Sequence, residues 1–272
     1  MEYPKEFVNL VNSTTENLIG WGNPNAKILI VGKESAIDEK NIPQRNKEIV
    51  ENRKQWEFNY HNNVDFNDVI ELKFDESDKY YIEKYYNPLY PYKGQEFNVR
   101  HEFRNAEGFV YRVTGKNGTS STWYNYQRLC NFILGRELFP KKNDFFKYFF
   151  ATELSTATAK YSHDANKIAK EDSIKNRKKF LYHPFYQGFP IVVLAVGHYP
   201  RKHNIDIEAL FQTRWNQHTC IVGKNWYNVH YSTTNNPKLL IHTNQLSMVS
   251  NDLIKEIADR CIEFKNKYNI EL

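Results

Sequence analysis

Four short runs constrain this chain more than anything else in it: KILIVG at 27–32, FKYFFATEL at 146–154, PIVVLAVG at 190–197 and KLLIH at 238–242. Each is almost continuously apolar and rich in β-branched or aromatic residues, and none alternates with polar positions. Strands with one face in water alternate; strands covered on both faces do not, so these runs predict buried parallel strands. Helical patterns lie between and after them. STWYNYQRLCNFILG puts Tyr126, Leu129, Cys130 and Ile133 on one face, starts at a Ser/Thr cap and stops at Gly135. SNDLIKEIADRCIEFKNK starts at Ser250 or Asn251 and carries Leu253, Ile254, Ile257, Ala258, Cys261 and Ile262 as its inward stripe. A first helix is expected to start at Pro4 and another to cover roughly 165–181. Strands alternating with helices imply right-handed crossovers and a three-layer α/β/α domain around a four-stranded parallel sheet.

The segment 56–118 breaks this rhythm. Aromatics crowd it, as in YYIEKYYNPLYPYKGQEF, so it is expected to be a long ordered insertion over one edge of the sheet rather than a linker. No linker divides the 272 residues, and one domain is expected throughout. With 15% aromatic and 40% hydrophobic residues the chain can offset its ordering entropy, which excludes a disordered protein. No stretch approaches 18 apolar residues and the N-terminus has no signal-peptide pattern, so a soluble, cytoplasmic protein with no membrane partner is expected. The three cysteines stand far apart without a C-x-x-C pair, which leaves no zinc or iron-sulfur site, and Cys130 and Cys261 read as small core residues. The formal charge of +5 permits a polyanionic partner.

In open parallel sheets ligands bind beyond the carboxyl ends of the strands. The four ends here deliver Lys33, Glu34 and Ser35; Glu153; His198 and Tyr199; and His242, Thr243 and Asn244. Two carboxylates, two histidines and a tyrosine at one rim form a candidate site. VGKES carries neither a G-x-G-x-x-G nor a P-loop pattern, so nicotinamide and ATP cofactors are disfavoured, and no histidine pair has metal-ligand spacing. No cofactor or metal is expected.

VGKESA after the first strand and IHTNQLS after the last resemble the two active-site motifs of the uracil-DNA glycosylase superfamily, a G-Q-D-P-Y-H type loop and an H-P-S-P-L-S type loop. The resemblance covers most of the chain outside 56–118. It implies a DNA glycosylase with Glu34 at the acidic position and His242, Leu246 and Ser247 at the H, L and S of the second motif. Breaking an N-glycosidic bond creates an oxocarbenium-like sugar and an anionic base. Glu34 is then the water activator or electrostatic stabiliser, and His242 the hydrogen-bond donor to the leaving base. Their structural alternatives are helix capping and an internal hydrogen bond. The resemblance further makes Leu246 the wedge that fills the gap left by a flipped base, and Lys33, Ser35 and Ser247 the phosphate holders. The basic run KIAKEDSIKNRKKF reads as a solvated helix face before it reads as a DNA contact.

The family's uracil readers carry an asparagine near the end of the second strand, where this chain has Glu153. A carboxylate repels the uracil O4 and suits the amino group of cytosine, so Glu153, with Tyr199, is the base-recognition candidate; capping the following loop is the alternative for Glu153. Sparing ordinary cytosine requires a second feature, and the aromatic insertion is suited to a sugar. These features resemble the antiviral branch of the superfamily that removes glucosylated hydroxymethylcytosine from phage DNA. A uracil or lesion repair glycosylase is the second reading, and a non-catalytic DNA-binding protein on the same fold the third.

Overall fold

A computed structural model describes residues 1–35, 42–70, 86–91, 101–104, 110–113, 121–137, 144–157 and 167–272. The first half runs α1 (Lys5–Ser13), β1 (Trp21–Gly22), β2 (Ile28–Gly32), α2 (Ile42–His61), α3 (Phe66–Ile70), β3 (His101–Arg104), β4 (Val110–Val113) and α4 (Ser121–Ile133). A 3-10 turn (Phe145–Lys147) then leads into β5 (Phe149–Glu153), α5 (Lys167–Leu181), α6 (Pro184–Gln187), β6 (Ile191–Leu194), α7 (Tyr199–Lys202) and α8 (Ile207–Phe211). The chain closes with β7 (Thr213–Val222), β8 (Asn225–Ser232), β9 (Leu239–Thr243) and α9 (Asn251–Lys267).

All four apolar runs form adjacent parallel strands in the order β5-β2-β6-β9, and every residue of these four strands is buried. The sheet is larger than the four strands expected, because β1 adds antiparallel to β5 and the β7–β8 hairpin adds antiparallel to β9, giving seven strands. The hairpin escapes sequence reading for a physical reason. β7 is an edge strand that is mostly exposed and polar along its length, so it has no buried run to advertise it.

Helices cover both faces. Alternate residues of β5 show the division: Phe149 meets Phe145, which packs on Tyr126 of α4, while Phe150 meets Phe7 of α1, Trp56 of α2 and Phe185 of α6. α4 and α9 pack on each other, and the Ser250 hydroxyl caps α9 by accepting from the Leu253 amide at 3.2 Å.

The apolar periodicity assigns no helix to 42–61, yet α2 is the longest of the described helices. Its inward stripe is polar: Arg45, Asn52 and Asn59, spaced by seven, are buried together with Trp56. Asn52 accepts from the amides of Ile19 and Gly20 at 2.8 and 3.2 Å and donates to the Gly20 carbonyl at 2.9 Å. Asn59 exchanges two 2.8 Å bonds with Asn87. Buried amides with all these partners are stable, but they carry no hydrophobic signal. Trp56 therefore belongs to this helix rather than to an insertion. Residues 86–91 do lie over one edge of the sheet, where the Pro88 carbonyl accepts from the Gly22 amide of β1 at 2.9 Å. The aromatic stretches at 71–85 and 92–100, on which the expected sugar contact falls, lie outside the described residues.

The basic run forms a solvated face, as expected, at Lys175 and Lys179, but the inward face of α5 buries Arg177 fully beside Ile174, Phe180 and Leu181. The Arg177 guanidinium donates to the Glu153 carbonyl at 2.9 Å, the Leu18 carbonyl at 2.5 Å and the Thr152 hydroxyl at 2.6 Å. One planar fork thus satisfies three acceptors on the sheet face.

Candidate active site

Beyond the carboxyl ends of β2, β5, β6 and β9 the chain places three linked clusters of polar side chains. The first is built on Glu34. Its Oε1 accepts from the Tyr199 hydroxyl at 2.6 Å and from Lys170 Nζ at 3.2 Å, and Lys170 also donates to the Tyr199 oxygen at 3.1 Å. Tyr199 is the first residue of α7 and Lys170 lies in the first turn of α5, so two helix starts converge on the loop after β2. All three residues are buried. The second carboxylate oxygen, Oε2, is buried as well and has no hydrogen-bond partner among the described residues. A carboxylate held on one oxygen and bare on the other has a fixed direction in which to accept a proton.

Lys33 joins this cluster to the next. Its ammonium sits 4.8 Å from the centre of the Tyr199 ring, and burial lowers its pKa. Its side chain crosses Gly197, where a Cβ would lie 3.5 Å from the lysine Cε and Nζ. Gly197 adopts φ +55° and ties two loops: its amide donates to the Thr243 carbonyl at 2.9 Å, and its carbonyl accepts from His242 Nε2 at 2.8 Å. The Trp226 and His242 rings meet edge to face, with centroids 4.9 Å apart, and His198 stacks on Trp226.

A carbonyl can only accept, so His242 carries its hydrogen on Nε2. Burial pushes its pKa down to about 4, which keeps the ring neutral at pH 7. Nδ1 is therefore an acceptor. The donor role expected of His242 does not fit this tautomer, since its only N–H is already given to Gly197.

The third cluster corrects the reading of Glu153. One of its oxygens accepts from the Ser35 hydroxyl, the other from Arg45 Nη2 at 2.9 Å, and its backbone carbonyl accepts from Arg177. Burial raises its pKa against the opposing pull of Arg45. Both oxygens are spent inside the protein, so Glu153 reads no base edge here; it anchors α2 and the loop after β2. The same bond occupies the Ser35 hydroxyl that was expected to hold a phosphate.

No family model and no curated protein matches this chain.

In the loop after β9, Leu246 is fully buried, and its carbonyl accepts from Asn125 of α4 at 2.8 Å. A core leucine cannot enter a base stack, which overturns the wedge assignment. Met248, two residues on, is 90% exposed and is the apolar side chain this loop projects. Ser247 is partly exposed.

Sequence reading placed Glu34, Tyr199, Lys33 and His242 at one rim, and the structure brings them there. It missed Lys170 and Arg45. Both sit in charged segments where nothing separates a buried cation from its solvated neighbours. Among the described residues no group of histidines, cysteines and carboxylates could hold a metal ion, and no helix is long and apolar enough to cross a membrane.

Proposed function

We propose that this chain is a DNA glycosylase that hydrolyses the N-glycosidic bond of a flipped, modified base, with a substituted cytosine as the base class. The observation that carries the reading is Glu34: a buried carboxylate at the strand-end rim, clamped on Oε1 by Tyr199 and Lys170 and bare on Oε2. A water held on Oε2 attacks C1′ of the nucleoside and gives its proton to Glu34. The C1′–N bond breaks with its electron pair leaving on the base, and the Lys33 ammonium at the same rim neutralises that negative charge. The products are a free base and an abasic site.

His242 supports an amino-bearing base. With Nε2 committed to Gly197, its Nδ1 accepts, which matches the N4 amino group of cytosine and opposes the O4 of uracil. Cytosine recognition thus rests on His242 instead of Glu153. The sequence resemblance to the uracil-DNA glycosylase superfamily agrees with this reading, as do the parallel strands that carry both motif loops.

The test is base release from matched duplexes containing glucosylated hydroxymethylcytosine, hydroxymethylcytosine, uracil or no modification. The expected result is release of a substituted cytosine by wild type and a loss of ~10²-fold or more in Glu34→Gln. Preference for uracil removes the base assignment, and release of no base by wild type removes the glycosylase reading.

A further inference from the structure

The flank of the molecule next to the Glu34 cluster carries a feature that the excision chemistry does not use. Between α5 and the end of α7 runs a groove of about 610 Å³ walled by Lys175, Lys178, Lys179 and Lys202, with Tyr182 and His203 also lining it. One carboxylate, Glu171, faces these four cations. Lys178 leans on the Asn204 carbonyl at 3.2 Å, while Lys175, Lys179 and Lys202 are exposed and held by no ion pair among the described residues.

Two features say what would lie there. On α5, Lys175, Lys178 and Lys179, at spacings of three and four, fall on one helical face, and Tyr182 follows directly after the helix end, so the cations line up along the helix instead of surrounding a point. A row of charges fits a chain of phosphates better than a single anion. Tyr182 is 51% exposed beside that row, an aromatic face without cover. A cationic track with an uncovered aromatic ring is the arrangement that holds single-stranded nucleic acid, the lysines taking phosphates and the ring stacking a base. The groove also leads to the site, because the His203 ring packs edge-on against Tyr199, whose hydroxyl binds Glu34.

We infer that the α5–α7 groove binds a single-stranded segment of DNA flanking the target base, with phosphates along Lys175, Lys179 and Lys202 and a base on Tyr182. The inference rests on the glycosylase reading for its link to catalysis, but the binding itself can be measured without it.

The experiment uses the full chain, fluorescence anisotropy with a labelled 20-nucleotide unmodified single strand, and a series of salt concentrations. The variants are Lys175→Ala/Lys179→Ala/Lys202→Ala and Tyr182→Ala, all at exposed positions, with melting curves to show that each folds. The triple variant is expected to lose ~10-fold or more in affinity and to flatten the slope of log affinity against log salt by about 0.7 per lost phosphate contact. Tyr182→Ala is expected to lose roughly ten-fold on the single strand and nothing on a blunt duplex. Wild-type affinity and slope in the triple variant overturn the proposal, as does equal competition by inorganic pyrophosphate, which marks a point anion site. Base release is scored in parallel on modified strands of 20 and 3 nucleotides. If wild type releases base and the groove variants match it on both lengths, the groove proposal fails and the glycosylase reading stands. If wild type binds through the groove but releases no base, the groove stands and the glycosylase reading fails.

Discussion

Tyr199 donates its hydroxyl hydrogen to Glu34 Oε1 at 2.6 Å while its oxygen accepts from Lys170 Nζ at 3.1 Å. The phenol is thus a relay between an ammonium and a carboxylate, and it fixes which carboxylate oxygen is left to act. A hydrogen bond to a charged acceptor is roughly twice as strong as a neutral one, and its loss frees the carboxylate to rotate.

Tyr199→Phe is accordingly expected to lower single-turnover base release by ~10-fold or more without weakening DNA binding. The ring, and with it the contacts to Lys33 and His203, stays in place. Release at the wild-type rate would show that Glu34 needs no orientation from Tyr199.

Glu153 is expected to behave as scaffold. Arg45→Met leaves a buried carboxylate facing only the Ser35 hydroxyl, and uncompensated buried charges cost about 3–5 kcal/mol. Glu153→Gln keeps the shape and removes the charge, so in the Arg45→Met background it should restore part of the lost stability. Denaturant melts of the two single variants and the double variant measure this coupling. The same Glu153→Gln protein should keep the wild-type ratio of rates on substituted cytosine and uracil; a ratio that moves toward uracil returns Glu153 to the role of base reader.

Leu246 and Met248 should separate cleanly. Leu246→Ala opens a cavity in the core and is expected to cost about 2–5 kcal/mol. Met248→Ala should change stability by less than about 0.5 kcal/mol, yet slow release from duplex while sparing release from single strands, where no stack has to be filled. A methionine variant indistinguishable from wild type on duplex DNA removes the wedge from this loop.

The histidines make stability depend on pH in a definite direction. Burial holds both His230 and His242 down at about 4, whereas in the unfolded chain each takes up a proton near 6.5. Between those values the unfolded state binds more protons, so stability rises with pH and is lost as pH falls from 6.5 toward 4, by about 2 kcal/mol per histidine from pH 7 to pH 5. Glu153 acts in the opposite sense: its raised pKa makes the folded state the better proton binder, so its share of stability is lost as pH rises. Comparing wild type with His230→Leu isolates one histidine from that background. Both ring nitrogens of His230 are buried without hydrogen-bond partners among the described residues, so the substitution should be tolerated and should narrow the stability gap between pH 7 and pH 5. An unchanged gap would show that His230 titrates normally.

What could be read from the sequence follows from where hydrophobicity carries the packing. The parallel strands, α4 and α9 bury apolar stripes, and the runs around Ile30, Phe150, Val193 and Leu240 announce them. α2 docks through Arg45, Asn52 and Asn59 beside Trp56, and β7 lies mostly in water, so neither leaves a periodic apolar trace. At the rim the pattern identified which residues arrive, since strand ends are set by the runs. It could not tell which side chains turn inward. Glu34 and Glu153 look alike in sequence; one keeps an oxygen bare, and the other spends both.

The polar stripe of α2 changes how this helix can fail. A helix docked by oil can slide or tilt by fractions of a turn and lose little, because one hydrophobic contact replaces another. Arg45, Asn52 and Asn59 each have specific acceptors, so a slide of half a turn breaks all of these bonds together. The helix is therefore held in one register or not at all. When it opens, Glu153 loses its counter-ion just beneath the loop that carries Glu34, so the rim should come apart in the same step, with no intermediate in which the helix is loose and the carboxylates remain aligned.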